Sequence, residues 1–286
     1  MSIPPKVLAG VDRLAPLPAT ANRLIAILEG DDDPSLAEVA SVIEFDPVMA
    51  ARVLRIARSA AYSGRVPPHD VRAAVIRLGT ETVLDLVLGD YLKTLRVTAP
   101  LYDLAEDELW AHGAAAALAA RALARERQGA SLPPLAQTAA LMHDIGKLVM
   151  VRTLDARPSQ VTAHCEANGV TWVEGERALF GCDHAEVGGA LARHWGLPEE
   201  LASAIARHHD VPVADPDALV DTVILANLVA KSIGVGLGAE GLNLRIDPGL
   251  ARRLSVDFTT FSRVCMQAAA WMKELQESYQ IVPVRA

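Results

Sequence analysis

Residues 139–148 read Ala-Ala-Leu-Met-His-Asp-Ile-Gly-Lys-Leu and lie near the middle of the chain. Apolar residues lead into a histidine and an aspartate, and an Ile-Gly-Lys sequence follows. The pattern predicts a helix over residues 135–146 that carries His143 and Asp144 inside an apolar core. Burying a charged side chain is costly unless it is paired or coordinates a metal. This stretch therefore predicts both a helical core and a functional site within it.

The composition favours helices throughout the chain. Hydrophobic residues make up 51% of the 286 residues and aromatic residues only 4%, so alanine and leucine supply most of the apolar mass. Both are strong helix formers, whereas strands prefer β-branched and aromatic side chains. The 22% of charged residues, together with abundant aliphatic ones, excludes intrinsic disorder and low-complexity or collagen-like chains. We predict an all-α fold.

Charge and hydropathy exclude several classes of protein. The net charge is −8 and no segment concentrates lysine and arginine, so direct binding to nucleic acid is disfavoured. No apolar run approaches the roughly 18 residues of a membrane-spanning helix, and residues 1–6 do not resemble a signal peptide. Three scattered cysteines indicate neither a disulfide framework nor a zinc knuckle. We expect a cytoplasmic protein that binds neither nucleic acid nor membrane.

The chain divides after Pro100 into two helical parts, and helix-start signals mark helices in both. Asp46-Pro47 and Asp183 are such signals, because a carboxylate accepts hydrogen bonds from the free amides of a first helical turn. Residues 1–100 are predicted to form an amino-terminal helical segment. Residues 101–286 are predicted to form a helical bundle with a carboxy-terminal helix.

Five of the eight histidines stand where metal chemistry can use them. The five are His112, His143, His184, His208 and His209. Glu108 lies four residues before His112 and therefore shares its helix face. Imidazole and carboxylate suit a borderline divalent metal such as iron, manganese or zinc. Taken alone, Glu108 and His112 favour a surface or capped pair over a ligand pair, whereas His184 and His208 are each as compatible with packing as with metal binding. We assign packing or capping roles to His69, His164 and His194.

Ordered motifs over residues 14–230 resemble the HDOD domain, an HD-related output domain of bacterial signalling. The amino-terminal motifs include Leu14-Ala-Pro-Leu-Pro-Ala-Thr20, Ile43-Glu-Phe-Asp-Pro47 and Ala74-Val-Ile-Arg-Leu-Gly79. Residues 141–148 and 184–200 complete the pattern. The resemblance implies a two-part all-α architecture, with an amino-terminal HDOD segment followed by an HD-like bundle.

The resemblance also implies a ligand set. HDOD proteins are regarded as regulatory modules, whereas the related HD-GYP enzymes hydrolyse cyclic di-GMP at a two- or three-metal centre. By that resemblance the metal ligands fall at His112, His143, Asp144, His184, His208 and His209. Glu108 matches the extra carboxylate of the three-metal version. Lys147 matches the lysine that approaches substrate phosphate, and it would be catalytic together with Asp144 if the site is active.

Two departures from the HD enzymes favour a regulatory role. Asn227 stands at the expected place of the last aspartate ligand, and an amide is a neutral, weaker ligand. Asp221, about two turns earlier, is the alternative for this position. The segment from His208 to Pro212 also lacks a following Gly-Tyr-Pro signature.

The sequence therefore predicts a signal-transduction module with an HD-like metal-binding site, acting mainly by binding protein or nucleotide ligands. The alternative is a metal-dependent phosphohydrolase or phosphodiesterase acting on a nucleotide or cyclic nucleotide. A third interpretation treats the histidines as packing residues of a helical interaction scaffold. The expected cofactor is iron, manganese or zinc. The expected partners are signalling proteins of two-component or cyclic-nucleotide systems, and the sequence leaves homodimerisation open.

Overall fold

The computed structural model describes residues 3–28, 35–59, 62, 66–95, 98–105, 107–126, 132–210, 216–241, 247 and 249–279. Within these ranges the regular elements are helices, and β pairing is limited to one isolated bridge between Ala99 and Leu104. The all-α prediction is confirmed. The helices are α1 (Pro5–Asp12), α2 (Ala19–Leu28), α3 (Leu36–Glu44), α4 (Pro47–Ala57), α5 (Val71–Leu78), α6 (Thr80–Thr94), α7 (Glu108–Glu126), α8 (Ala136–Met142), α9 (Gly146–Thr153), α10 (Pro158–Asn168), α11 (Trp172–Phe180), α12 (His184–His194), α13 (Glu199–Arg207), α14 (Ala218–Ser232), α15 (Leu250–Arg253) and α16 (Phe258–Tyr279).

The helices form two compact units. One unit, Pro16–Leu95, contains α2 to α6. The other unit combines residues 3–15 with the chain from residue 98 onward. Helix α1 therefore packs on α9 and α12, and a side chain added at its Gly10 would overlap Thr153 of α9. The sequence-based division at residue 100 places α1 in the first part, whereas the structure packs it with the second.

The expected helix-start signals form the caps that the sequence predicts. Asp46 Oδ1 accepts a hydrogen bond from the backbone N–H of Met49 at 3.0 Å and begins α4. Asp183 Oδ1 accepts from Glu186 at 2.8 Å, and the Glu186 carboxylate accepts in return from the Asp183 N–H. The second cap fixes the start of α12, whose first residue is His184.

Helices α7 and α14 form the centre of the larger unit. Most alanines along α7 are buried, and Gly113 lies so close to Leu141 of α8 that a Cβ would overlap its carbonyl oxygen. Small residues thus let α8 approach α7 closely, which brings the end of α8 to the middle of the bundle. Across the described residues, no helix combines the length and the apolar character needed to span a bilayer.

The predicted single helix over residues 135–146 is wrong, because the structure divides it. Helix α8 ends at Met142, residues 143–145 form a turn, and α9 begins at Gly146. The start of α12 crosses this point: a Cβ at Gly146 would overlap the carbonyl oxygen of His184 and lie 2.5 Å from the Gly188 nitrogen. The turn places His143 and Asp144 at a junction between helices, close to α12.

Candidate metal centre

The predicted site residues converge from different elements of the larger unit. Helix α7 supplies His112, the turn between α8 and α9 supplies His143 and Asp144, α12 supplies His184, and the residues after α13 supply His208 and His209. All except His209 are buried, and His209 is half-buried. Residues up to 97 apart in sequence therefore share one interior site.

Backbone carbonyls orient three of the histidines. Each Nδ1 atom lies 2.7–2.8 Å from a carbonyl oxygen, in the pairs His112 with Val235, His143 with Ala140, and His208 with Ile205. A carbonyl only accepts, so Nδ1 of each ring donates, which leaves Nε2 available to bind a ligand. Such an outer hydrogen bond is the usual way proteins fix the tautomer of a metal-binding histidine.

Asp144 lies at the centre of the cluster. Its Oδ1 atom is 3.2 Å from His184 Nε2 and 3.7 Å from His208 Nε2. Its Oδ2 atom is 3.5 Å from His143 Nε2 and 3.6 Å from His112 Nε2. The donor atoms form two groups, each within 4.8 Å, and both include Asp144. They are Asp144, His184, His208 and His209, and His112, His143 and Asp144.

Three buried atoms of the cluster make no hydrogen bond. These atoms are His143 Nε2, Asp144 Oδ1 and His208 Nε2. Buried polar atoms in proteins nearly always have a partner, so a group of three without one indicates a missing ligand. A divalent transition metal satisfies a nitrogen and oxygen donor set of this kind. The residues of this chain therefore fit a metal ion.

The protonation states also suit metal binding. Burial lowers the pKa of His112 and holds the pKa of His143 and of His209 well below the ordinary value, so these rings stay neutral. Burial alone would raise the pKa of Asp144, but the charge of the Lys147 ammonium outweighs it and holds the pKa well below its usual range. The site thus offers three neutral imidazoles, those of His112, His143 and His209, beside an ionised carboxylate.

Glu176 is a site residue that the sequence analysis missed. Its Oε2 atom lies 2.7 Å from His184 Nδ1, and its Oε1 atom accepts a hydrogen bond from the Tyr102 hydroxyl at 2.7 Å. Burial lowers the pKa of His184, but Glu176 outweighs it and raises that pKa to about 10. A signal existed in the sequence, because Glu176 shares a helix face with the apolar residues Trp172 and Val173.

Glu240 and Lys231 were also missed. The Nζ atom of Lys147 lies 2.8 Å from Asp144 Oδ2 and 2.5 Å from Glu240 Oε1. The Nζ atom of Lys231 donates to Glu240 Oε2 at 3.0 Å. Burial lowers the pKa of Lys147, but Asp144 and Glu240 outweigh it and raise that pKa above its usual value. Lys231 lies one turn after Asn227 on apolar α14, which could have marked it, whereas nothing in the glycine-rich sequence marks Glu240.

The structure separates the two alternatives for the closing ligand position. The Oδ1 atom of Asn227 lies 3.2 Å from His112 Nε2, inside the site. Asp221 instead accepts two hydrogen bonds from Arg253, at 2.6 and 2.7 Å. Glu108 lies outside both donor groups, where its carboxylate accepts from the Ala105 N–H at 2.7 Å. The structure thus brings Asn227 to the cluster and commits Asp221 and Glu108 elsewhere.

Comparison with known proteins identifies the family. The model of the HDOD domain matches residues 14–211. The chain belongs to the HDOD family. It is 25% identical to an HDOD domain protein of unknown function from Geobacter sulfurreducens, with a TM-score of 0.65 over 96% of this chain and 92% of that one. It is 26% identical to a candidate phosphohydrolase from Shewanella amazonensis SB2B, with a TM-score of 0.58 over 93% and 98% of the chains.

A curated relative of this HDOD chain is considerably longer. An uncharacterized protein from Treponema pallidum (strain Nichols) is 24% identical over 224 residues, which is 77% of this chain and 43% of the relative. The chain therefore spans less than half the length of that relative. The match supports the domain assignment and leaves the activity and partners of the longer protein as a separate question.

Proposed function

We propose that this HDOD protein is a regulatory signal-transduction module whose buried HD-like site binds a divalent transition metal. It acts by binding protein or nucleotide ligands rather than by turnover. The observation that carries this proposal is the pairing of Lys147. The ammonium that the resemblance assigns to substrate phosphate lies within 2.8 Å of two carboxylates, Asp144 and Glu240, in the interior. Its charge is therefore already neutralised within the protein.

Asn227 supports the same proposal. It presents a neutral amide to His112 where an HD enzyme has a carboxylate, so the site carries one negative charge fewer to hold two cations. His112, His143, Asp144, His184, His208 and His209 are the residues that would hold a metal. A metal bound there would polarise a phosphoryl oxygen and supply a nucleophilic water at neutral pH. In a regulatory module, a metal held by these residues would cross-link α7, α12 and the turn between α8 and α9.

Elemental analysis tests the metal proposal. The protein is produced under reducing conditions with iron, manganese and zinc present, beside the variants His143→Ala and His69→Ala. His69 is exposed and lies outside both donor groups, so it is the matched control. We expect metal in the wild type and in His69→Ala, and its loss in His143→Ala. A metal-free wild type, or equal metal in all three proteins, would overturn the proposal.

Turnover separates the proposal from its alternative. The same preparations are incubated with nucleotides and cyclic dinucleotides, and the products are resolved by chromatography. We expect no metal-dependent product. Turnover by the wild type that disappears in His143→Ala would show an enzyme instead.

A metal-dependent phosphohydrolase is the second candidate. It is supported by two donor groups that share the Asp144 carboxylate and by the similarity to the Shewanella candidate phosphohydrolase. In that reaction a water oxygen bonds to phosphorus as a phosphoester bond breaks, and the leaving oxygen takes a proton. The products would be a phosphomonoester or a linear dinucleotide. Equal loss of turnover in His143→Ala and Asp144→Asn, with folding retained, would support this candidate.

We assign the contact with a signalling partner to the unit Pro16–Leu95. This unit exposes large apolar side chains, including Phe45 at 84% and Val48 at 72% of their full area. Exposed apolar side chains of this size are typical of interaction surfaces. We expect Phe45→Asp to reduce partner recovery from cross-linked cells, measured by quantitative mass spectrometry, without changing metal content. An unchanged set of recovered proteins would contradict this assignment.

A further inference from the structure

Two lysines from different helices meet at a single carboxylate beside the metal centre. Lys147 of α9 lies 2.5 Å from Glu240 Oε1, and Lys231 of α14 donates to Glu240 Oε2 at 3.0 Å. All three side chains are at least 94% buried. Each oxygen of one carboxylate thus faces its own ammonium. Two converging ammonium groups around paired oxygens form the arrangement that proteins use to bind anions such as a phosphoryl group.

The Glu240 carboxylate is linked to the candidate metal centre through Lys147. The ammonium of Lys147 bridges Glu240 to Asp144, since it lies within 2.8 Å of an oxygen of each. An anion that replaced the Glu240 carboxylate would therefore be separated from Asp144, the aspartate common to both donor groups, by the Lys147 ammonium alone.

The segment that delivers Glu240 is closely fitted to the rest of the unit. Gly234, Gly236, Gly238 and Gly241 all have positive φ angles. A Cβ at Gly236 would lie 2.7 Å from His112 Cβ, and one at Gly238 would overlap the carbonyl oxygen of Tyr102. The carbonyl of Val235, in the same segment, accepts from His112. The glycine-rich segment therefore holds a metal ligand and places Glu240 between the lysines.

We propose that Lys147 and Lys231 form a phosphoryl-binding site, and that Glu240 occupies it as a built-in carboxylate in place of the ligand. The proposal deepens the proposed function, on which it rests, by naming the class of ligand and the residue that keeps it out. Charge balance supports it: the two ammonium groups face two carboxylates, Asp144 and Glu240, and no further anion is needed. Removing the charge of Glu240 leaves the lysines with one positive charge in excess.

The test uses the variant Glu240→Ala in the full chain, both as purified and after chelator treatment, because alanine removes the charge of the carboxylate and vacates its space. Inorganic phosphate is the probe, and chloride at matched ionic strength is the reference. We expect phosphate to bind Glu240→Ala at least tenfold more tightly than the wild type by calorimetry, and to raise its melting temperature. Glu199→Ala is the matched control, because Glu199 is exposed and pairs with the surface residue Arg193. It should respond to phosphate as the wild type does.

The double variant Glu240→Ala/Lys231→Gln identifies the binding groups. It removes the excess charge, so the gain in phosphate affinity should disappear. If Glu240→Ala does not fold in chloride, refolding in phosphate but not in chloride supports the proposal. Failure to refold in both salts overturns it, as does a folded Glu240→Ala whose phosphate affinity equals that of the wild type. Metal content measured on the same samples reports separately on the proposed function, because phosphate binding is also measured after the chelator has removed any metal.

Discussion

The Nδ1 atom of His184 lies 2.7 Å from the Oε2 atom of Glu176, and both side chains are fully buried. This pairing raises the pKa of His184 to about 10, above its ordinary value of 6.5, against the opposing effect of burial. The folded, metal-free protein therefore binds a proton more tightly at His184 than the unfolded chain does. Its contribution to stability is complete below pH 6.5 and is lost as the pH rises towards 10.

We predict that the unfolding free energy of the metal-free protein falls between pH 6.5 and pH 10, and that Glu176→Gln flattens this dependence. At pH 7 the variant should lose about 1–3 kcal/mol, since a buried charged donor loses its ionised partner. Urea unfolding at several pH values measures both effects. Glu199→Gln, at the surface, should keep the wild-type slope, and an equal slope in Glu176→Gln would contradict the prediction.

A carboxylate at position 227 should strengthen metal binding. Asn227→Asp replaces a neutral amide 3.2 Å from His112 Nε2 with an anionic ligand, so we expect roughly tenfold or greater gain in metal affinity. Chelator competition measures the change. Asp221→Asn on the same helix is the control, because Asp221 pairs with Arg253; it should cost about 1–3 kcal/mol of stability at unchanged affinity. Equal affinities in wild type and Asn227→Asp would refute the assignment of this position.

The crossing of α12 over the start of α9 requires a glycine at position 146. A Cβ there would meet backbone atoms of His184 and Gly188, so Gly146→Ala should cost about 3 kcal/mol and reduce metal content. Gly196→Ala is the comparison: its φ is positive, but the space around it is open, and only about 1–2 kcal/mol of backbone strain is expected. Thermal unfolding and elemental analysis distinguish the variants. Equal losses of stability and of metal content in Gly146→Ala and Gly196→Ala would contradict the close contact between α12 and the start of α9.

The cap of α12 should support the metal site as well as the helix. Asp183 caps α12, is fully buried and pairs with Arg177, so Asp183→Ala should cost about 2 kcal/mol and weaken metal binding through the adjacent His184. Asp70→Ala removes an exposed cap of α5 and should cost about 1 kcal/mol at unchanged metal affinity. Chemical denaturation and chelator competition measure the two quantities. A metal affinity unaffected by Asp183→Ala would contradict the link.

Much of the fold follows from local chemistry that the sequence displays. Asp46 and Asp183 cap helices because their carboxylates accept hydrogen bonds from the free N–H groups of the first helical turn. The alanine-rich helix α7 is largely buried, as its apolar composition requires. The resemblance to the HD enzymes also indicates which of the histidines meet. The caps depend on neighbours a few residues away, and the histidine cluster depends on a complete set of metal-donor residues in the sequence.

The features that sequence analysis missed depend on long-range packing. The break after Met142 is imposed by α12, which lies about 40 residues further along the chain and is invisible to periodicity. Glu176 and Glu240 are common surface residues by type, and only the fold shows that they are buried against His184 and two lysines. The choice between Asn227 and Asp221 likewise required the position of Arg253.

The position of Asp144 has a thermodynamic consequence. Its two carboxylate oxygens face different sets of histidines, so a cation bound in one set changes the charge available to the other. Occupancy at the two positions is therefore linked by a single interaction free energy, and the linkage is reciprocal. A cation on the His112 side would change the cation affinity of the His184 side by the same factor as the reverse, because this one aspartate contacts both halves of the centre.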